Sequence, residues 1–153
     1  MKKTVFLTGA TGNMGAAGLA ELLKKKDLYN IVLLARPSKV NKQKLAYLKD
    51  EESVKIVWGD LLNYDDILKC VTGADIVLHV GGMVSPQADY FPKRTLKTNT
   101  EAAKNIVKAV LAQPNKDEIK VVYIGTVAQT SDRNEPIHWG RTGDPICISV
   151  YDH

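Results

Sequence analysis

The sequence predicts an α/β protein with one doubly wound parallel sheet and helices on both of its faces. Three observations carry this. Short runs that are apolar at nearly every position alternate with longer stretches of helical periodicity along the chain. The apolar runs lack the polar alternation of a half-exposed sheet, so both faces must be covered. A glycine-rich octet, TGATGNMG at residues 8–15, stands between the first run and the first helical stretch.

Each element follows from its local pattern. Residues 3–8 (KTVFLT) form the first strand, and residues 13–26 a helix with Met14, Leu19, Leu22 and Leu23 on one recurring face. Residues 29–36 (YNIVLLAR) are the second strand, followed by a basic, helix-like stretch over residues 39–49. Residues 54–58 (VKIVW) are the third strand, ended by Gly59 and Asp60. The helix over residues 64–71 carries Asp65 and Asp66 at its positive end, where carboxylates are favoured. Residues 75–80 (DIVLHV) form the fourth strand, residues 90–111 a long helix, with a start after Pro92 as the alternative, and residues 120–124 (KVVYI) the fifth strand. Right-handed crossovers then give the strand order 3-2-1-4-5. Beyond residue 128 the periodicity gives way to turn formers, so residues 1–128 are expected as the domain and residues 129–153 as a loop region.

Composition narrows the function classes. A chain of 153 residues with 44% hydrophobic and 25% charged residues has the make-up of a single globular domain with a real core. No apolar run approaches a membrane span, and Lys2 and Lys3 precede too short a run for a cleavable signal, so the cytoplasm is the expected compartment. Cys70 and Cys147 match no metal or redox spacing and read as reduced bystanders, with no metal expected. The net charge of +4 comes from lysine clusters without interleaved aromatic residues. That pattern fits solvated helix faces and the attraction of a small anion better than a nucleic-acid surface.

The glycines give the ligand. Gly9 permits a tight turn out of the first strand, Gly12 lets a pyrophosphate approach bare backbone, and Gly15 lets the helix pack closely. With Thr11 on the turn and Asn13 and Met14 opening the helix, unpaired amides and the helix dipole face the phosphates. A strand before the motif, a helix after it and a second strand beyond supply the context such a motif needs.

The spelling from Thr8 to Gly15 resembles the TGxxGxxG signature of extended short-chain dehydrogenases/reductases, the group of NAD(P)-dependent epimerases and dehydratases. Gly59-Asp60-Leu61 is similar to that family's GDL, whose aspartate meets the adenine amino group, and His79-Val80-Gly81-Gly82 to the turn that lies along the cofactor. Asn99, followed by Asn105-Ile106-Val107, resembles the family's N-x-x-G-T-x-N helix, with Glu101-Ala102-Ala103 in place of its usual centre. The resemblance implies a Rossmann domain binding a nicotinamide dinucleotide through Gly9, Thr11, Gly12, Asn13, Met14, Gly15, Asp60, Leu61, Val80, Gly81, Gly82 and Asn99. The end of the second strand selects between cofactors. Arg36, with Lys39 close behind, can pair with a 2′-phosphate and cover the adenine, which favours NADP; stacking alone would leave NAD as the alternative.

In this family hydride transfer depends on a Ser/Thr at the end of the fifth strand and a Tyr-x-x-x-Lys on the next helix, the lysine lowering the tyrosine pKa. Thr126 in VYIGTVA resembles the first; a β-branched residue that merely ends a strand is the alternative. No tyrosine has a lysine four residues on, and Tyr151, the tyrosine at a tolerated distance, has no such partner in the sequence. The chain is therefore expected to be the N-terminal portion of a longer enzyme, truncated after strand five, able to bind NADP(H) but with negligible turnover. Its substrate would be a sugar nucleotide or a carbonyl compound, with His138, Trp139 and Arg141 as loop residues that could face it, surface anchoring of the loop being the alternative for all three. Relatives pair through the helix after strand four and the tyrosine helix, so a homodimer would be weakened here. A non-catalytic sensor or interaction protein of the same fold is the alternative function.

Overall fold

The computed structural model describes residues 1–125. The boundary expected at residue 128, Thr126, Tyr151 and the loop residues His138, Trp139 and Arg141 lie outside the described residues. In chain order the elements are β1 (Lys3–Thr8), α1 (Asn13–Leu23), β2 (Tyr29–Ala35), α2 (Lys39–Lys44), a 3-10 turn (Ala46–Leu48), β3 (Val54–Trp58), α3 (Tyr64–Val71), β4 (Ile76–His79), α4 (Gln87–Tyr90), α5 (Pro92–Leu111) and β5 (Lys120–Tyr123). The five strands form one sheet in the order β3-β2-β1-β4-β5, with every pairing parallel.

Strand geometry explains why the runs are apolar throughout. Successive side chains point to opposite faces, and each face carries its own core. Phe6, Leu34 and Val77 pack with Ile67 and Val71 of α3 and Ile106 and Ala109 of α5. Leu7, Ile31 and Leu33 pack on the other side with Leu19 of α1 and with Leu45 and Leu48 near α2. All strands run the same way, so their carboxyl ends share one edge. The chain leaves β1 toward β2 on one side and reaches β4 on the other, which makes the β1 end the topological switch point.

The structure modifies the elements at several points. The stretch over residues 39–49 splits into α2 and a 3-10 turn, because Leu45 and Leu48 both enter the core and the tighter turn brings residues three apart onto one side. The long helix starts at Pro92, whose fixed φ and missing N–H suit a first helical position, and α4 is a separate piece before it. Met14, expected on the buried face of α1, projects outward and is 62% exposed, since in the first turn of α1 it is the neighbouring Gly15 that faces the β1 turn. The fifth strand stands at the sheet edge, as the order 3-2-1-4-5 requires, and its Val121, Val122 and Tyr123 are exposed rather than covered.

Candidate functional site

The carboxyl edge of the sheet gathers the turns after β1, β2, β3 and β4. The β1 turn is built around Gly9, which has φ +75°, and the Gly12 amide closes the turn on the Gly9 carbonyl at 2.9 Å. A Cβ on Gly9 would stand 2.8 Å from both Cα and N of Gly81, so this position requires glycine for its conformation and for its neighbour. A Cβ on Gly15 would run into the Gly9 carbonyl. The third glycine therefore brings the helix close against the turn that ends β1. At Gly12 the nearest protein atom would be 3.4 Å from a Cβ, an ordinary contact, so crowding within the protein does not require glycine there.

This turn suits a phosphate. Among the described residues, the amides of Asn13, Met14 and Gly15 have no acceptor, and no side chain caps α1. The first turn of α1 carries no acidic residue to repel an anion. Exposed Gly12 sits at the mouth of this cradle of unpaired donors, where a side chain would fill the space that a pyrophosphate needs. The donor set thus fits a dinucleotide. Lys44 adds a cation, its Nζ donating to the Thr11 carbonyl at 2.8 Å.

One hydroxyl locks the β1 and β4 turns together. Thr8 and His79 end their strands in register, and both are buried. The Thr8 Oγ1 accepts from the amides of Val80 at 3.1 Å and Gly81 at 2.9 Å. With both lone pairs committed, its own proton goes to His79 Nδ1 at 2.8 Å, which places the imidazole proton on Nε2. Burial pushes the His79 pKa down to about 4, so the ring is neutral and remains an acceptor at physiological pH. Tyr123 of β5 lies beside the ring, with centroids 5.6 Å apart.

Side chains from α5 hold the other turns. Asn99 uses both ends of its amide on Met83: Oδ1 accepts from the Met83 amide at 2.8 Å and Nδ2 donates to the Met83 carbonyl at 3.0 Å. Asn105 Nδ2 donates to the Leu61 carbonyl at 3.2 Å. After β3, Gly59 donates to the Ala35 carbonyl at 3.0 Å, which seats the Asp60 turn beside the end of β2. Asp60 is exposed, with Oδ1 accepting from the Leu62 amide at 2.9 Å. Arg36 and Lys39 are exposed at the end of β2, where the Ser38 amide and the Asn41 side chain both hold the Arg36 carbonyl.

The edge thus brings together Gly9, Thr11, Gly12, Asn13, Gly15, Val80, Gly81 and Gly82, with Arg36, Lys39, Asp60 and Leu61 on the β2–β3 side. Met14 contributes its amide there while its side chain faces outward. Asn99 reaches the edge through its grip on Met83. Sequence reasoning placed Thr8, His79 and Asn105 within motifs but gave their side chains no contact of their own, and it did not single out Lys44. A signal existed for the first two, since each is the polar last residue of an otherwise apolar strand and needs a buried partner.

Comparison with known proteins places this geometry. The model of the NAD dependent epimerase/dehydratase family matches residues 5–146. The chain belongs to that family. A family relative, the UDP-glucose 4-epimerase of Rickettsia bellii, is 30% identical over 128 residues, which covers 81% of this chain and 36% of that protein. The corresponding enzyme of Rickettsia akari is 29% identical over the same share of each. The chain spans 36% of the length of these family relatives. Pen from Bacillus thuringiensis superposes with a TM-score of 0.73 at 25% identity, covering 85% of this chain and 40% of that one. WbmH from Bordetella bronchiseptica, solved in complex with NAD+, shares the fold with a TM-score of 0.72 at 22% identity, over 99% and 48% of the two chains. Among the described residues no helix is long and apolar enough to cross a membrane.

Proposed function

We propose that this chain is the cofactor-binding portion of a nucleotide-sugar epimerase or dehydratase, or of a related reductase, and that it prefers NADP to NAD. The observation that carries the reading is the cradle of three unpaired amides at the start of α1, closed off by a Gly9 turn that only glycine can make. On this reading the pyrophosphate lies on the amides of Asn13, Met14 and Gly15. The adenosine half extends over the ends of β2 and β3 toward Arg36 and Asp60, and the nicotinamide half over Val80, Gly81 and Gly82. The name of the Rickettsia relatives supports a sugar nucleotide as the substrate class.

The mechanism follows from what these residues do. The bound nicotinamide would supply a site that accepts and returns a hydride. The protein's part is to orient it: Thr8 and neutral His79 fix the β4 turn against the β1 turn, and Asn99 fixes the segment at Met83. The Arg36 guanidinium offers a two-pronged contact to a 2′-phosphate, and Lys39 adds charge nearby. Thr126 is proposed as a hydroxyl that hydrogen-bonds the reacting oxygen, and Tyr151 as its proton partner. The 153 residues contain no Tyr-x-x-x-Lys, so binding without appreciable turnover is the activity proposed for this chain. Self-association is proposed through α5, which leaves Leu96, Val107 and Leu111 exposed.

Calorimetry with NADPH and NADH tests the cofactor assignment. The expected result is tighter binding of NADPH, with Arg36→Ala weakening it roughly tenfold or more while NADH changes little. Equal or tighter binding of NADH by the unaltered protein would refute the preference. Binding of neither would refute the reading as a whole.

A further inference from the structure

The helix α5 touches the cofactor edge at two points through two carboxamides. Asn99 is spent on Met83, in the segment that follows β4. Asn105 reaches the other side of the edge, where its Nδ2 donates to the Leu61 carbonyl. The remaining bonds of the β3 turn are local or come from its neighbours. Asp60 donates its amide to Asp66 Oδ2 at 3.1 Å, Asn63 donates to the Asp60 carbonyl at 3.0 Å, and Gly59 donates to Ala35. These fix the shape of the turn and tie its start to β2, but they leave open how the turn sits relative to the β1 and β4 turns. Leu61 settles that: its Cδ1 lies 3.1 Å from the place of a Cβ on Gly81, and its side chain packs on the core that includes Ile106.

We propose that Asn105 is a positioning residue for the adenosine half of the dinucleotide: by holding the Leu61 carbonyl from α5, it sets the Asp60–Leu61 turn against the cofactor edge, while Asn99 sets the nicotinamide side separately. This rests on the dinucleotide reading above. One helix then aligns two turns that belong to different strands. A role confined to satisfying a half-buried carbonyl would lower stability but would leave the folded protein's affinity for the adenosine half unchanged.

The test is calorimetry on the full chain with two probes: whichever of NADPH and NADH the unaltered protein binds more tightly, and its adenosine half, 2′,5′-ADP or ADP. Asn105→Ala is expected to weaken both probes by about fivefold or more, by similar factors, the scale of one lost hydrogen bond. Asn99→Ala is expected to weaken the dinucleotide while leaving the adenosine half within about twofold. Asn105→Asp, close in shape but without the donor, should behave as the alanine variant does, and it serves if the alanine variant fails to fold. Loss confined to the dinucleotide in the Asn105 variants, or no loss for either probe, overturns the proposal while leaving the dinucleotide reading intact. Failure of the unaltered protein to bind either probe overturns both.

Discussion

Replacing Thr8 by valine isolates the lock between the two glycine turns, because it keeps the branched shape and removes only the hydroxyl. Three hydrogen bonds disappear together, at 2.8, 3.1 and 2.9 Å. The largest part of the cost is His79 Nδ1. The residue is only 4% exposed, so its orphaned acceptor has no route to water and costs about 1–3 kcal/mol. The Val80 and Gly81 amides lie in a half-buried turn and recover some hydration, adding about 0.5–1 kcal/mol each. The sum is a loss of about 2–5 kcal/mol, a large share of the stability of an ordinary domain. Thr8→Ser keeps all three bonds and removes one buried methyl, for about 1 kcal/mol. Urea denaturation of the two variants at neutral pH separates these. A valine variant as stable as the serine one, or within about 1 kcal/mol of the unaltered protein, would show that the hydroxyl does not lock the turns.

Three further outcomes follow from the same geometry. His79 in the folded protein has its pKa lowered by burial from 6.5 to about 4, so the unfolded chain binds the extra proton first; stability is full above pH 6.5 and falls by about 3 kcal/mol as pH drops toward 4. Urea midpoints measured across that window check this, and His79→Asn should flatten the slope. Gly15→Ala pushes a methyl into the Gly9 carbonyl and is expected to cost more than about 2 kcal/mol and abolish dinucleotide binding, whereas Gly18→Ala, in open space on the same helix, should stabilise by about 0.5–1 kcal/mol in thermal melts. The Cys70 thiol is buried and pushed up to about 12, chiefly by desolvation with a contribution from Asp66, so native protein at pH 8 should leave the Cys70 peptide unalkylated in mass spectrometry, and rapid labelling would contradict the packing around α3.

The sequence by itself determined the alternation of strand and helix, the strand order and the place of the glycine turn with its unpaired amides. Each is written in a local pattern: KTVFLT is apolar on both faces because two cores need it, and the glycines of TGATGNMG answer to a turn made within a few residues. The bounds of β3 and α3 were legible for the same reason, since Gly59 and the Asn63 cap end or begin them locally. Tertiary structure decided how the turns are joined. Thr8 meets His79 across 71 positions of chain, and Asn105 meets Leu61 across 44, through contacts that exist only once parallel register and helix packing bring the partners within hydrogen-bonding reach. It also decided that Met14 faces outward and that α4 stands apart from α5. Periodicity encodes which face of an element is apolar, but side-chain hydrogen bonds span a few ångströms between elements, and those separations are set by the packed fold.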